Sequence, residues 1–348
     1  MASPSTTADD GFNDFIGTLT TKLAQLKAID EVAATGIAKD IKTLQDEHES
    51  KFTHMPHDGY GLMRPSVARR LGGVQMILQS QYHSQLRNLR TDDGCRFLLT
   101  DFTNWYRAAG SQTLVIFGNI GCGKSVTMSF LIDQLNRRNE HEPRSLICFY
   151  YCRDDESGQA VNIFSALILT LLKQLPDLKN AFDQWYEENQ ASGVLQPARS
   201  TKKLEEFLEK VLEELDRPLF IVIDGMNNCD GSSREAVLNL LRTLSRKTQQ
   251  LKILLSSRPE EEILEQLDEA VKINITSDTN RDAAIVRHKV ETQLYYLKPD
   301  VKTLVVGELS RSAQGSAIWT KETVDLLEVR RIQAIGPMRK FLEDMPLP

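Results

Sequence analysis

The segment Gly118-Asn-Ile-Gly-Cys-Gly-Lys-Ser125 fits the pattern G-x-x-x-x-G-K-[ST] of a phosphate-binding loop. Glycines at this spacing let the backbone bend so that successive N–H groups point toward phosphate oxygens. Lys124 is then placed to reach the β- and γ-phosphates of a nucleotide, and the Ser125 hydroxyl is placed to ligate Mg²⁺. The predicted nucleotide-binding residues of this loop are Gly118, Asn119, Ile120, Gly121, Cys122, Gly123, Lys124, Ser125 and Val126.

Strand and helix patterns alternate on both sides of the loop. An apolar, β-rich run precedes it and apolar residues at helical spacing follow it, as a strand–loop–helix phosphate site requires. The predicted strands are Thr113–Phe117, Leu146–Cys152, Leu219–Ile223, Lys252–Ser257 and Val271–Ile275. Their nearly continuous apolar character indicates burial on both faces. It therefore favours an α/β fold in which helices cover a parallel sheet in three layers.

Local signals mark two of the helices between these strands. The clearest amphipathic helix carries apolar residues from Leu204 to Leu215 and is ended by Pro218. After the third predicted strand, Ser232 and Glu235 form a capping box, which predicts that a helix begins there.

Two charged residues follow strands of the predicted sheet. Asp224 ends an apolar strand, as in a Walker B strand, where the carboxylate holds Mg²⁺ together with the hydroxyl of the phosphate loop. Arg258 follows another strand, and ligands of open α/β sheets bind at the carboxyl ends of strands. We therefore predict that Ser125 and Asp224 bind Mg²⁺ and that Arg258 contacts a γ-phosphate. A surface role is the alternative for Arg258.

Both ends of the chain have helical patterns. In the first ninety or so residues, apolar residues recur at steps of three and four. The prolines and glycines of residues 51–65 predict a loop, and a helix is predicted over about 66–89. After about residue 277 the pattern is helical again. We therefore predict a helical N-terminal module over 1–88, a nucleotide-binding domain over 89–277 and a helical C-terminal subdomain over 278–348.

The composition narrows the class of protein. The chain has 348 residues, of which 41% are hydrophobic and 26% charged, so a disordered chain or a fibrous rod is excluded. With 42 basic and 48 acidic residues the net charge is −6, which does not favour nucleic acid as a partner. There is no secretory signal, and the most apolar stretch, Ile163–Leu172, is too short to cross a membrane. A cytoplasmic location without a transmembrane segment is expected.

The cysteine and histidine spacings do not indicate a metal centre. The five cysteines are an odd number, which argues against a disulfide scaffold. Cys148 and Cys152 lie in an apolar strand, so we expect buried thiols, and no second pair completes a zinc site. His54 and His57 have no further ligands nearby in the sequence.

Several segments together resemble the NACHT family of signal-transduction P-loop ATPases, in particular the fungal members. They are the phosphate loop, Cys-Phe-Tyr-Tyr-Cys-Arg-Asp at 148–154, Val-Ile-Asp-Gly-Met-Asn-Asn-Cys at 222–229, Ile-Leu-Leu-Ser-Ser-Arg-Pro at 253–259 and Gly-Ser-Ala-Ile-Trp at 315–319. The resemblance spans about Leu89 to the C-terminus. It implies the ASCE strand order, with the Arg258 strand between the phosphate-loop and Asp224 strands. It also implies a helical lid, ATP/ADP and Mg²⁺ as ligands, and roles in non-self recognition or cell death.

The chain departs from the family pattern at three places. Asn227 and Asn228 stand where the family has acids, one of which polarises the attacking water, so we predict slow or absent hydrolysis. Asp230 is a more distant substitute for those acids. Gly315-Ser316-Ala317 lacks the proline of the Gly-x-Pro motif, which contacts nucleotide in related switch proteins. The family's C-terminal repeats are absent, which is expected of a naturally short member or of a truncated product.

These observations leave three functional hypotheses. The first is a nucleotide-dependent signalling switch or scaffold, whose protein partners bind the N-terminal helices or whose copies self-associate. The second is an active P-loop ATPase or small-molecule kinase. The third is a pseudo-ATPase that holds ADP permanently and serves as an interaction module.

Overall fold

The computed structural model describes residues 67, 70–71, 74–141, 145–153, 155–248, 250–276 and 278–348. The chain separates into two compact units, Met1–Val67 and Ala68–Pro348, and all the helices and strands named here belong to the second unit. The helical predictions for the first 66 residues, together with His54 and His57, lie outside the described residues.

Helices and strands alternate through the middle of this unit, and helices alone follow. The α-helices are α1 Val74–Leu89, α2 Asp92–Cys95, α3 Leu99–Arg107, α4 Lys124–His141, α5 Ala160–Gln174, α6 Leu178–Ala191, α7 Thr201–Glu213, α8 Gly231–Lys247, α9 Glu261–Gln266, α10 Thr279–Gln293, α11 Pro299–Ser312, α12 Ala317–Arg330 and α13 Ile335–Glu343. The strands are β1 Gln112–Gly118, β2 Leu146–Tyr151, β3 Leu219–Asp224, β4 Leu251–Ser257 and β5 Val271–Ile275. Short 3₁₀ turns at Arg96–Leu98, Glu156–Gly158, Pro197–Arg199 and Met226–Asn228 complete the described elements.

The five strands form one parallel sheet in the order β2-β3-β4-β1-β5. Strand β4 therefore lies between β1, which carries the phosphate loop, and β3, which carries Asp224, as the family resemblance implies. The register aligns Phe117 with Ser257 and Ile223 with Leu255, so the carboxyl ends of the three central strands meet at one edge. The predicted α/β fold with a helix-covered parallel sheet is confirmed.

Burial on both faces of the sheet explains why the strand sequences are almost continuously apolar. Every residue of β3 and β4 is buried, because helices cover both faces of the sheet. On one face, side chains of α3 and α4 pack against β1, and the stacked rings of Tyr106 and Phe220 belong to this core. The edge strand β5 is mostly exposed, which matches its weaker sequence signal.

The four C-terminal helices, α10 to α13, have a core of their own and form the lid subdomain. Their core consists of aliphatic residues at helical spacing, such as Val286 and Val290 on α10, Leu294 directly after it and Leu309 on α11. Polar contacts join the lid subdomain to the phosphate loop, among them a hydrogen bond from the Ile318 N–H to the Gly121 carbonyl. Among the described residues, no helix is long and apolar enough to cross a membrane.

Two details of the helices differ from the sequence predictions. The capping-box prediction was wrong, because Asp230 is the N-cap of α8 and its Oδ1 accepts a hydrogen bond from the Ser233 N–H at 2.8 Å. The sequence did not distinguish the true cap, because Asn228, Asp230 and Ser232 are residue types that all cap helices well. The backbone conformation of the folded chain determines which of them is the N-cap. Helix α6 was not predicted at all. Its aromatic residues Phe182 and Trp185 pack on α7 through Phe207.

Helix α1 packs against the same unit as the sheet, although the predicted domain boundary at residue 88 falls at its C-terminal end. Gln79 bonds both backbone groups of Tyr151 on edge strand β2, accepting from its N–H at 2.7 Å and donating to its carbonyl at 3.0 Å. His83 Nδ1 lies 2.7 Å from the Tyr151 hydroxyl, and His83 Nε2 lies 3.1 Å from Asp133 on α4. Asp133 also accepts from Arg90 at 2.8 Å.

Candidate functional site

A cavity of about 480 Å³ opens at the carboxyl ends of the central strands. Its volume is in the range of small-molecule and cofactor sites. The sheet contributes the phosphate loop, the tip of β3 and the turn after β4, while the lid contributes α10 and α12. Of the predicted site residues, the cavity wall contains Ile120, Gly121, Gly123, Lys124, Ser125, Val126, Asp224, Asn227, Asn228 and Arg258. Gly118, Asn119 and Cys122 belong to the loop but are not part of the wall.

The conformation of the phosphate loop requires glycine at several positions. Gly121 and Gly123 have φ values of +78° and +88°, in the left-handed region that disfavours side chains. Gly118 has no room for a larger residue, since a Cβ there would lie 2.5 Å from the Cys122 sulfur. The spacing of these glycines in the sequence is therefore explained by the backbone path.

Lys124 begins α4 and lies inside the loop. Its ammonium donates to the carbonyls of Gly118, at 2.7 Å, and Asn119, at 2.9 Å. Burial lowers the pKa of Lys124, and the charge of Asp224 opposes that effect. The loop carbonyls thus hold the ammonium next to the N-terminus of α4. The partial positive charge of that helix end attracts anions.

Asp224 is the last residue of β3 and is only 2% exposed. Its carboxylate accepts a hydrogen bond from the Ser256 hydroxyl of β4 and another from the Ser125 hydroxyl. Burial raises the pKa of Asp224, and these two hydroxyls together with Lys124 oppose the rise. A carboxylate and a hydroxyl side by side on a cavity wall are oxygen ligands of the kind that Mg²⁺ prefers, so the residues fit the predicted metal.

Asn227 and Asn228 form a chain of hydrogen bonds to the backbone. Asn227 Nδ2 donates to Asn228 Oδ1 at 2.8 Å, and Asn228 Nδ2 donates to the Cys152 carbonyl at 2.9 Å. Asn227 Oδ1 accepts from the Arg258 backbone N–H at 3.0 Å. The amides therefore position the turn before α8 and the start of the segment after β4. The Arg258 side chain is exposed and lines the cavity.

Asp230, which the sequence offered as a substitute for the family's acids, stabilises the start of α8 and does not line the cavity. It caps α8, and hydrogen bonds from Ser232 and Ser233 lower its pKa to about 2. It is not part of the cavity wall.

The lid contacts the phosphate loop through residues that sequence reasoning missed. Arg281 of α10 is 5% exposed, and its guanidinium donates to the carbonyl of Cys122 and, at 3.5 Å, to that of Gly315. Gly315 also donates its N–H to Asp282 at 2.8 Å. The Ile318 N–H at the start of α12 donates to the Gly121 carbonyl at 3.1 Å. Gly315 is therefore linked to the loop through Arg281, and Ile318, directly after the Gly315-Ser316-Ala317 segment, contacts the loop itself.

Tyr82 of α1 is a second residue that the sequence did not indicate. Burial and then the charge of Asp224 raise its pKa, and a hydrogen bond with Ser125 opposes the rise. Its ring packs edge-to-face on Tyr151, with 5.3 Å between centroids. A lone tyrosine in a helix 43 positions before Ser125 has no local signal that could have revealed this contact.

One protein family matches the central domain of the chain. The family model described as nephrocystin 3, N-terminal, matches residues 94–258, just under half of the chain. This segment includes the phosphate loop, Asp224 and Arg258. Among curated protein sequences, none matches this chain.

Similar solved structures include ORC proteins of Aeropyrum pernix and Drosophila. The Aeropyrum pernix ORC2 protein in its ADP form has a TM-score of 0.46 at 14% identity, covering 73% of this chain and 68% of that chain. The Aeropyrum pernix ORC1 protein in complex with DNA has a TM-score of 0.44 at 16% identity, covering 72% and 65%. Drosophila ORC bound to DNA has a TM-score of 0.45 at 13% identity, covering 85% and 72%. This chain thus spans less than two thirds of the ORC1 protein, and such weak similarities assign no function to it.

Proposed function

We propose that this chain is a nucleotide-dependent switch of NACHT type, which binds ATP or ADP with Mg²⁺ and hydrolyses ATP slowly or not at all. The observation that carries the proposal is the meeting of Lys124, Ser125 and buried Asp224 on one wall of the cavity. These are the cation, the hydroxyl and the carboxylate that a nucleotide with its metal requires.

Mg²⁺, when bound, would neutralise phosphate charge, and Ser125 and Asp224 would hold it. The loop N–H groups and the N-terminus of α4 would bind phosphate oxygens. Lys124 would exchange its contacts with the loop carbonyls for contacts with the β- and γ-phosphates. Arg258, whose side chain is exposed on the same wall, would contact the γ-phosphate.

Slow hydrolysis is supported by the scarcity of carboxylates around the cavity. Within the part of the chain that the structure describes, the acids in the cavity wall are Asp224 and Glu322, and Glu322 pairs with Lys321 at 3.1 Å. Asn227 and Asn228 carry amides, which do not accept a proton as a general base does. This observation favours a switch over an active ATPase or a kinase.

A switch also needs an element that responds to the nucleotide. The lid lines the same cavity as the phosphate loop and is bonded to it through Arg281 and Ile318. Exchange of ADP for ATP would alter these contacts and thereby what the chain binds, through its N-terminal residues or through self-association. A cytoplasmic role in non-self recognition or cell death belongs to this proposal by family resemblance alone.

The test is nucleotide binding by Lys124→Ala, with Lys210→Ala on the exposed face of α7 as the matched control. Loss of a charge-assisted hydrogen bond should weaken the binding of Mg-ATP and ADP about 10- to 100-fold in calorimetric titrations. Lys210→Ala should bind as the wild type does, and mass analysis should detect a co-purifying adenine nucleotide. Equal affinity in both variants would contradict the proposal.

The same samples separate the three hypotheses. A switch should change its assembly size between ADP and a non-hydrolysable ATP analogue, measured by light scattering, and should lose that change in Lys124→Ala. An unchanged size would favour the passive module. Rapid phosphate release by the wild type would favour the active enzyme.

A further inference from the structure

Two cysteines meet at the carboxyl ends of the neighbouring strands β2 and β3. Cys152 directly follows β2, and Cys229 follows the 3₁₀ turn at the end of β3. Their sulfurs are 3.7 Å apart, and the residues are 3% and 5% exposed. The spacing between them is 77 residues, so only the parallel pairing of β2 with β3 brings them together.

The backbone around the pair is already held in place. The Cys152 N–H donates to the Asp224 carbonyl at 2.8 Å, and the Cys152 carbonyl accepts from the Asn228 amide at 2.9 Å. The two chain segments are therefore adjacent on both sides of the sulfurs. A disulfide has a bond of about 2.05 Å, so the sulfurs need to approach by only roughly 1.7 Å. Side-chain rotation can supply part of that distance.

We propose that Cys152 and Cys229 are a redox modification site, at which a peroxide forms an intramolecular disulfide. One thiolate attacks a hydrogen peroxide oxygen, the O–O bond breaks, and the sulfur becomes a sulfenic acid while the departing oxygen leaves as water. The second thiolate attacks that sulfur, forms the S–S bond and releases a second water. Two thiols lose two electrons and two protons, and one hydrogen peroxide is reduced to two waters.

The cavity wall comes within one residue of the buried pair, although neither cysteine is part of the wall itself. Asn228 lines the cavity wall and immediately precedes Cys229 in the chain. A peroxide is a small polar molecule comparable to the waters that polar cavities hold. Cys148 is a natural control, because it is 1% exposed but lies inside β2 rather than after the end of that strand.

The disulfide would alter the nucleotide site through the turn at Met226–Asn228, and this consequence rests on the proposed function. The bond would join that turn to the end of β2 and shift the Asn227–Asn228 amide chain, which holds the Arg258 N–H. Because Arg258 faces the γ-phosphate end, oxidation should weaken binding of an ATP analogue more than that of ADP. Loss of one hydrogen bond corresponds to about a fivefold difference.

The experiment is peptide mapping of the full chain after treatment with hydrogen peroxide. Remaining thiols are alkylated, and the folded state is checked by circular dichroism. A cross-linked peptide containing residues 152 and 229, lost on reduction, is expected in the wild type and in Cys148→Ser. It should be absent from Cys152→Ser and Cys229→Ser. Sulfinic or sulfonic acids in place of the cross-link, unmodified thiols at both positions, or a cross-link only after unfolding would overturn the proposal.

Mapping of the unsubstituted chain is informative even if a serine variant fails to fold. Titration of the oxidised and reduced wild type with ADP and an ATP analogue then tests the consequence. A cross-link in a chain whose nucleotide binding is unaffected by Lys124→Ala would support the redox site and contradict the proposed function. Absence of the cross-link in a chain that binds nucleotide through Lys124 would contradict the redox site and support the proposed function.

Discussion

The cavity has a sheet half and a lid half, and they are built differently. In the sheet half, the phosphate loop follows β1 and Asp224 ends β3, and these strands pair with residues 252–257 and 251–255 of β4. In the lid half, Arg281 and Ile318 come from helices whose core is separate from that of the sheet. The hydrogen bonds that these two residues make to the loop are single polar bonds rather than a packed apolar surface.

This difference indicates where a response to nucleotide can occur. Moving a strand of the sheet would break many ladder bonds and expose apolar side chains, which would be costly in free energy. Moving the lid would break a few hydrogen bonds and the local packing of Ile285 on α10 against Gly94 on α2, but it would leave the ladder bonds of the sheet intact. Under the proposed function, the sheet half would therefore fix the position of the phosphates, and the lid half would be the part that nucleotide binding shifts.

The largest effect that would test this comparison is expected from Arg281→Ala. The substitution leaves the carbonyls of Cys122 and Gly315 without the guanidinium, and a hydrogen bond to a charged group contributes about 1.5–3 kcal/mol. A fluorescent nucleotide should therefore dissociate about 10- to 100-fold faster in stopped-flow measurements. Arg287→Ala, on the exposed face of the same helix, should dissociate at the wild-type rate. Equal rates in all three proteins would show that the lid does not retain the nucleotide.

A smaller effect is expected in the sheet half from Asn227→Asp. The new carboxylate keeps an acceptor for the Arg258 N–H and introduces a general base near the phosphate end. Phosphate release from ATP should rise by about tenfold, less than a fully aligned base supplies. Asn239→Asp, on an exposed face of α8, should leave the rate unchanged. If Asn227→Asp also leaves it unchanged, the amides are not what limits hydrolysis.

The smallest effect is expected in the pH dependence of folding stability, through His83 of α1 and its contact with Asp133 of α4. Burial lowers the pKa of His83 below its usual 6.5, and Asp133 opposes that effect, so the folded state favours the neutral ring. The unfolded chain then binds the proton more readily, and stability is lost as pH falls from about 6.5 toward the folded pKa. The urea midpoint of the wild type should fall over that window.

His83→Gln supplies the comparison for this pH dependence. It removes the titrating ring while leaving Arg90 paired with Asp133 at 2.8 Å. The variant should be less stable at neutral pH, and its midpoint should fall less steeply between about pH 7 and about pH 5.5. An equal slope in both proteins would assign the pH dependence to other groups.

The sheet half of the site could be predicted from the sequence, whereas the lid half could not. The phosphate loop and the strand before it are continuous in the sequence, and the glycines, Lys124 and Ser125 are identified by their spacing alone. Asp224 follows a recognisable apolar strand. Arg281 and Tyr82 lie on helices without a motif, and their contacts depend on how those helices pack. The cap at Asp230 also depends on the chain path, because neighbouring side chains could have served equally well.

The α/β class, the phosphate loop and the strand that ends in Asp224 could be identified from the amino-acid sequence, because hydrophobic periodicity and glycine spacing are patterns of only a few residues. The distant groups that complete the cavity are known only from the folded chain. Arg281 reaches a loop 159 positions earlier, and Cys152 meets Cys229 across 77 positions. Such pairs arise from the order of the parallel strands and from the packing of the lid. Neither can be predicted from the spacing of residues along the chain.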